Sequence, residues 1–374
     1  MKIKKAVIRS VEFPLKEPFI ISYATYPEMP AVILELETDT GLIGYGEAVP
    51  DEHVTGESAA AAAAVLKDVL LPAVIGMDPF NIEAIHQKMD SVLIRNPAAK
   101  AAVDIACYDL MGKAAGQPVY NLIGGKAKEA LTYPKVLSIE EPRVMAEKAE
   151  RALAEGYVSL KLKVGQGHPQ LDVERIAAVR QAVGKDVQIR VDVNQGWKSP
   201  GMAASLIRQL EPLAISWVEQ PIRIGDIAGL AEIRTKTAVP VMADETLHSM
   251  DDLLEIIRQR AADAVNIKLM KCGGIYPAAA MAKTAEAAGI TCQIGSMVES
   301  SVGSAAGYHV ALARTNIGST ELTGPLLFTE EIGNLHYELP FVRLSGQPGL
   351  GIEIDESQLE KLTVARMEIG GAAK

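Results

Sequence analysis

The chain has 374 residues, more than a single hydrophobic core usually organises, so two domains are expected. With 48% hydrophobic and 22% charged residues it is neither disordered nor fibrous, and a formal net charge of -10 with no basic stripe argues against nucleic acid as a partner. Three cysteines, Cys107, Cys272 and Cys292, form no Cys-x-x-Cys pair and are too few for a disulfide framework, which fits a reducing compartment.

The first residues carry no signal-peptide pattern, and the apolar run from Ala59 to Leu71 is broken by Lys67 and Asp68 well short of a membrane span. A soluble, cytoplasmic protein is expected, with no membrane partner. Short β-prone runs at Ala6 to Phe13 and Ala31 to Glu37, the second followed by Asp39-Thr40-Gly41, predict a small antiparallel sheet. Helical spacing over Glu57 to Leu70 and Ala98 to Ala115 completes an α+β unit in the first third.

Beyond about residue 130 the pattern changes. Candidate strands at Tyr133 to Leu137, Ser159 to Lys163, Gln188 to Asp192, Ser216 to Glu219, Val241 to Asp244, Ala264 to Lys268 and Thr291 to Ile294 mostly alternate with Ala-rich helical runs. Such repetition predicts a (β/α)8-type barrel. A doubly wound open sheet is the rival, but neither Gly-x-Gly-x-x-Gly nor a P-loop motif occurs.

Lys161 and Lys163 stand at i and i+2 on one strand, so both point to the same face, the barrel interior. Two neighbouring buried lysines are costly unless carboxylates lie close by. Asp192, Glu219 and Asp244 each end an apolar strand, and the three strands are consecutive. Three carboxylates converging on the C-terminal rim would repel one another without a hard, oxygen-seeking cation such as Mg2+ or, alternatively, Mn2+. Lys268 ends the next strand, on the far side of the carboxylates from Lys161 and Lys163. A carbanion held between lysines on opposite faces can be protonated from either side, as racemisation or epimerisation requires. An inert barrel used for binding would have no need of this mutually repelling set.

Lys-x-Lys, then Asp, Glu and Asp at three successive strand ends, then Lys, resembles the muconate-lactonising subgroup of the enolase superfamily along essentially the whole chain. The resemblance implies an N-terminal capping domain with lid loops over residues 1–128, a (β/α)7β barrel over 129–335, and a C-terminal segment, 336–374, that returns to the cap. It implies Mg2+ on Asp192, Glu219 and Asp244, and Lys163 and Lys268 as the acid/base pair on a small-molecule carboxylate whose α-proton leaves to form an enediolate. Lys161 would orient Lys163 and keep its pKa down. A homo-oligomer is also usual in the subgroup.

Members with these residues include muconate cycloisomerases, o-succinylbenzoate synthases, dipeptide epimerases and N-acyl amino acid racemases. Dipeptide epimerases carry Asp-x-Asp at the last strand, where this chain has Glu321-Leu322-Thr323. Ile21-Ser-Tyr, His53-Val-Thr-Gly-Glu-Ser58, Gly295-Ser-Met-Val-Glu-Ser-Ser301 and Ile332-Gly-Asn-Leu-His-Tyr337 together resemble N-succinylamino acid racemases, those acting on arginine or lysine derivatives. Two mobile lid loops are then expected near Phe19 to Met29 and Pro50 to Ser58. The first carries apolar residues and Tyr26. The second carries Asp51 and Glu52, acids suited to a cationic substrate side chain. Ser296, Glu299, Glu321 and Thr323 are further candidate substrate contacts, and Asn194, Glu245 and Lys271 candidate partners of the metal or the lysines. His248, His309, Trp197 and Trp217 read as capping or core residues.

Overall fold

The computed structural model describes residues 1–370. Strands β1 (Ile3–Ile20), β2 (Thr25–Thr38) and β3 (Ile43–Ala48) pair antiparallel in sequence, with Gly41 in the left-handed conformation that the β2–β3 turn requires. One face of this sheet is covered by the helix Pro97–Ala115, whose alanines let it approach closely. A Cβ added at Gly46 would lie 1.9 Å from the Ala102 carbonyl oxygen, so only glycine fits there.

After β4 (Leu131–Thr132), eight parallel strands follow: β5 (Lys135–Leu137), β6 (Ser159–Lys163), β7 (Gln188–Asp192), β8 (Trp217–Glu219), β9 (Val241–Ala243), β10 (Ala264–Ile267), β11 (Thr291–Ile294) and β12 (Ile317–Thr320). Each hydrogen-bonds to its neighbours in sequence order, with helices between successive strands, which gives the expected (β/α)7β barrel. The sheet curls until its ends share one interior. Arg190 of β7 reaches across to the Thr320 carbonyl (3.1 Å) and Gln293 (3.2 Å), filling the barrel beneath the rim. Period-two alternation turns Leu160 and Leu162 toward the surrounding helices, and Lys161 and Lys163 inward.

Short strands β13 (Tyr337–Glu338) and β14 (Phe341–Val342) pair with each other and β14 with β4, and β15 (Thr363–Gly370) adds to the free edge of β1. Buried Arg9 secures this return by binding Glu35 (2.6 Å) on β2 and Glu360 (2.5 Å) in the helix before β15. Of the segment 336–374, residues 371–374 lie outside the described residues. Among the described residues no helix is long and apolar enough to cross a membrane.

Two expectations change. The segment Phe19 to Met29 is not a loop but mostly the end of the β1–β2 hairpin, with Phe19 paired to Tyr26 and Ile20 to Thr25 around a turn at Ile21 to Ala24. The predicted helix Glu57 to Leu70 begins at Ala59 behind the Ser58 cap, passes through a π-helical turn at Leu66–Leu70 and continues to Val74.

Candidate active site

Asp192, Glu219 and Asp244 are fully buried at the ends of adjacent strands, with one carboxylate oxygen from each within 4.8 Å of the others. Lysines surround them. Lys161 Nζ lies 2.9 Å from Asp192 and 3.1 Å from Glu219, and also hydrogen-bonds to Glu321. Lys163 Nζ donates to Asp192 (2.7 Å) and Asn194 (3.1 Å), with the Phe19 ring 5.7 Å away. On the opposite flank, Asp244 meets Lys268 at 2.8 Å and Lys271 at 2.5 Å. The two candidate acid/base lysines are therefore fastened to the two outer carboxylates, with Glu219 between them in strand order.

This donor set suits a divalent cation. Glu219 Oε2 and Asp244 Oδ2 are buried, and among the described residues each faces an ammonium group alone, Lys161 at 3.1 Å and Lys268 at 2.8 Å. Ion pairs join four carboxylates (Asp192, Glu219, Asp244 and Glu321) to four lysines (Lys161, Lys163, Lys268 and Lys271), and Glu245 is linked to Lys163 through the Asn194 side chain.

Burial opposes the charge on Lys161, but Asp192, Glu219 and Glu321 outweigh it and hold its pKa well above the ordinary lysine value. Asp192 resists burial through Lys161 and Lys163 and falls to about 2. Glu245 rises to about 7 because it is buried beside Asp244 and Asp192. The protein groups alone do not depress Lys268: burial lowers its pKa, yet Asp244, Glu321 and Glu245 outweigh burial and raise it. A cation drawing on Asp244 would weaken that field.

A partly open cavity lies above these groups. Its floor holds Lys161, Lys163, Lys268, Asn194, Glu245 and Glu321, and its wall Ser296, Met297, Val298 and Thr323. Phe19, Ile21, Tyr23, Tyr26 and Asp51 come from the cap. Tyr26 donates to Asp51 Oδ2 at 2.5 Å, while Asp51 Oδ1 accepts from the amides of His53 and Val54. His248 Nε2 lies 2.6 Å from the Val54 carbonyl and pins the same loop to the barrel.

Two candidate contacts do not reach the cavity. Glu52 is exposed and outside the lining, because the Asp51 carbonyl closes a tight turn with the amides of residues 54 to 56 and sends the next side chain to solvent. Glu299 is buried behind the wall, where its carboxylate accepts from Ser296 Oγ (2.5 Å) and the Met297 amide (2.9 Å). It braces the Ser296–Val298 loop, in which Val298 holds a positive φ of 69°, a strained conformation for a β-branched residue. Glu321 lines the cavity, yet both its oxygens are engaged, by Lys161 and by Asn266 Nδ2 (2.9 Å). Asn266, which also donates to Glu219 (2.8 Å), escaped the sequence reading although it shares a strand face with Lys268 at i+2. His309 and Trp197 are core residues, as expected.

A capped (β/α)7β barrel with three acids and flanking lysines on consecutive strand ends defines a member of the enolase superfamily. The chain belongs to the mandelate racemase / muconate lactonizing enzyme family: residues 3–124 match its N-terminal domain and residues 144–358 the enolase C-terminal domain-like unit. It is 54% identical over 97% of its length to an N-succinyl-L-Arg/Lys racemase of Bacillus cereus, covering 98% of that protein, and it matches a crystal structure of such a racemase with a TM-score of 0.98 over 99% of this chain and 100% of that one. A hydrophobic dipeptide epimerase of Enterococcus faecalis is 41% identical over 94% of this chain and 99% of its own. Its crystal structure with Mg and the dipeptide L-Leu-L-Tyr matches at a TM-score of 0.91, over 94% of this chain and 100% of that one.

Proposed function

We propose that this protein racemises N-succinyl amino acids with a basic side chain, arginine or lysine, with one of Lys163 and Lys268 removing the α-proton and the other delivering its own proton to the opposite face. The observation that carries the reading is the placement of these two lysines on opposite flanks of one carboxylate triad, both lining the same cavity. One lysine takes the α-proton from its side of the carbon and the other returns a proton from the opposite side. Lys161, charged and held between Asp192, Glu219 and Glu321, keeps Lys163 and the triad in register.

Asp192, Glu219 and Asp244 would hold Mg2+, with Mn2+ suited to the same oxygen set. When bound, the cation supplies positive charge to the substrate carboxylate as charge develops on it. The hairpin tip and the Pro50 to Ser58 loop exclude water, and Asp51 is the acid left to receive a guanidinium or ammonium. Tyr26, Ser296 and Thr323 complete the substrate contacts, while Asn194 and Glu245 steady the lysine and the triad. We also read residues 1–128 as the cap, 129–335 as the barrel and 336–374 as the segment returning to the cap.

The dipeptide reading is disfavoured because no second acid stands at Thr323 to share an ammonium with Glu321. α-Proton exchange in D2O with N-succinyl-arginine, N-succinyl-lysine, N-succinyl-leucine and Ala-Glu dipeptides, beside turnover of cis,cis-muconate, tests the proposal. Exchange of both enantiomers of the basic N-succinyl substrates is expected. Preference for the dipeptide or for muconate would overturn it.

A further inference from the structure

The two lysines differ in how they are tied to the rest of the molecule. At the tip of the β1–β2 hairpin, Ser22 Oγ donates to the main-chain carbonyl of Asn194 at 2.6 Å, a bond between cap and barrel across 172 residues of sequence. Asn194 is buried, lies two residues beyond Asp192, and holds a positive φ of 42°. Its other polar groups are all engaged within the site. The amide N–H donates to Asp192 Oδ1 (3.0 Å), Oδ1 accepts from Lys163 (3.1 Å), and Nδ2 donates to Glu245 (3.0 Å). The side-chain orientation follows from its partners, since an ammonium requires the oxygen and a carboxylate the nitrogen.

Among the described residues the Lys268 ammonium and its partner Asp244 have no hydrogen bond to the cap, although the short helix after Lys268 meets the cap where the Val49 amide donates to Met270 Sδ (3.4 Å). Lys268 meets Asp244, whose other partners, Lys271, Gln220 and Leu247, all belong to the barrel. We infer that Ser22 is a positioning residue for one half of the reaction: by fixing the Asn194 peptide it sets the amide that aims Lys163, and it leaves Lys268 untouched. Asn tolerates a left-handed backbone better than most residues but still prefers αR, so a bond to its carbonyl bears directly on where its side chain points. The inference rests on the two-lysine racemase reading and adds to it an asymmetry: disturbing the hairpin tip should slow one direction of proton abstraction.

The test follows α-deuterium exchange into each enantiomer of N-succinyl-arginine separately, using the Mg2+-loaded full-length enzyme. Lys163→Ala and Lys268→Ala first identify which enantiomer depends on which lysine. Ser22→Ala should then slow exchange of the Lys163-dependent enantiomer by about three- to tenfold, the scale of one neutral hydrogen bond, and change the other by less than about twofold. Ser22→Thr, which keeps the hydroxyl, should restore the wild-type ratio of the two rates. Asn194→Gly accepts the positive φ, keeps the carbonyl and removes the amide, so adding Ser22→Ala to it should shift the ratio no further. Equal slowing of both enantiomers would make Ser22 a general lid contact and overturn the inference, as would an unchanged ratio or a shift that persists in the Asn194→Gly background. A wild-type enzyme that exchanges neither enantiomer would instead overturn the racemase reading itself.

Discussion

Asp51→Asn isolates the charge proposed to select basic substrates. The carboxylate is 9% exposed, accepts two amide protons on one oxygen and the Tyr26 hydroxyl on the other, and has lone pairs left for an incoming guanidinium. Hydrogen bonds to charged groups contribute roughly 1.5–3 kcal/mol, and the existing donors place Asp51 at the lower end. About 1.5 kcal/mol corresponds to about a tenfold loss in kcat/KM for N-succinyl-arginine. Most of the loss should fall on KM, since the contact is made in ground and transition states alike. Asparagine retains an acceptor for the His53 and Val54 amides, and the Tyr26 hydroxyl can rotate to accept, so the loop survives the change. Steady-state racemisation of N-succinyl-arginine and N-succinyl-leucine by Asp51→Asn, Glu52→Gln and wild type reads the effect. The arginine-to-leucine preference should narrow about tenfold in the first variant and stay unchanged in the second. A narrowing in Glu52→Gln, or none in Asp51→Asn, would refute the assignment of the charge to Asp51.

Asp192→Asn, Glu219→Gln and Asp244→Asn should each weaken Mg2+ and Mn2+ binding by at least about tenfold in a calorimetric titration, while Glu299→Gln should leave it within about twofold. Lys163→Ala and Lys268→Ala should each abolish racemisation but retain exchange of one enantiomer, a different one in each case, by proton NMR in D2O. His309 is fully buried, accepts the Tyr120 amide proton on Nδ1 and donates from Nε2 to the Leu350 carbonyl, and burial pushes its pKa down to about 4. Below its ordinary value of 6.5 the unfolded chain takes up a proton that the folded chain refuses, so its stabilising contribution is complete above 6.5 and is lost as pH falls toward 4, about 3 kcal/mol in all. Urea unfolding at pH 7 and pH 4.5 should show a smaller loss of stability for His309→Gln than for wild type.

The parts of the site that lie on regular strands were legible in the sequence for a physical reason. An apolar strand that ends in a carboxylate fixes both the element and the phase of the side chain, so Asp192, Glu219 and Asp244 declared their shared rim, and the i, i+2 spacing of Lys161 and Lys163 declared a shared face. Loops carry no such phase. Asp51 and Glu52 looked equivalent until the turn after Asp51 separated them, and Glu299 gave no sign that it would turn behind the wall instead of into the cavity. Strand β12, Ile-Gly-Ser-Thr, has no apolar run to announce it, and the hairpin tip passed for a loop because Ser22, Tyr23 and Ala24 interrupt its alternation. The direction of the Lys268 shift was also out of reach. Burial and carboxylate neighbours oppose each other, and the 2.8 Å approach of Asp244, backed by Glu321 and Glu245, decides between them.

The ion pairs at the barrel mouth also bear on how the chain reaches its folded state. Lys161 on β6 finds Glu321 only after β12 has been placed, 160 residues later, and Lys268 on β10 finds Asp244 only when β9 lies beside it. An assembly that lacks the last strand leaves Lys161 without the Glu321 part of its counter-charge, and burying it in that state would cost several kcal/mol. The lysine that keeps the acid/base site in register thus also ties closure of the last strand to completion of the fold.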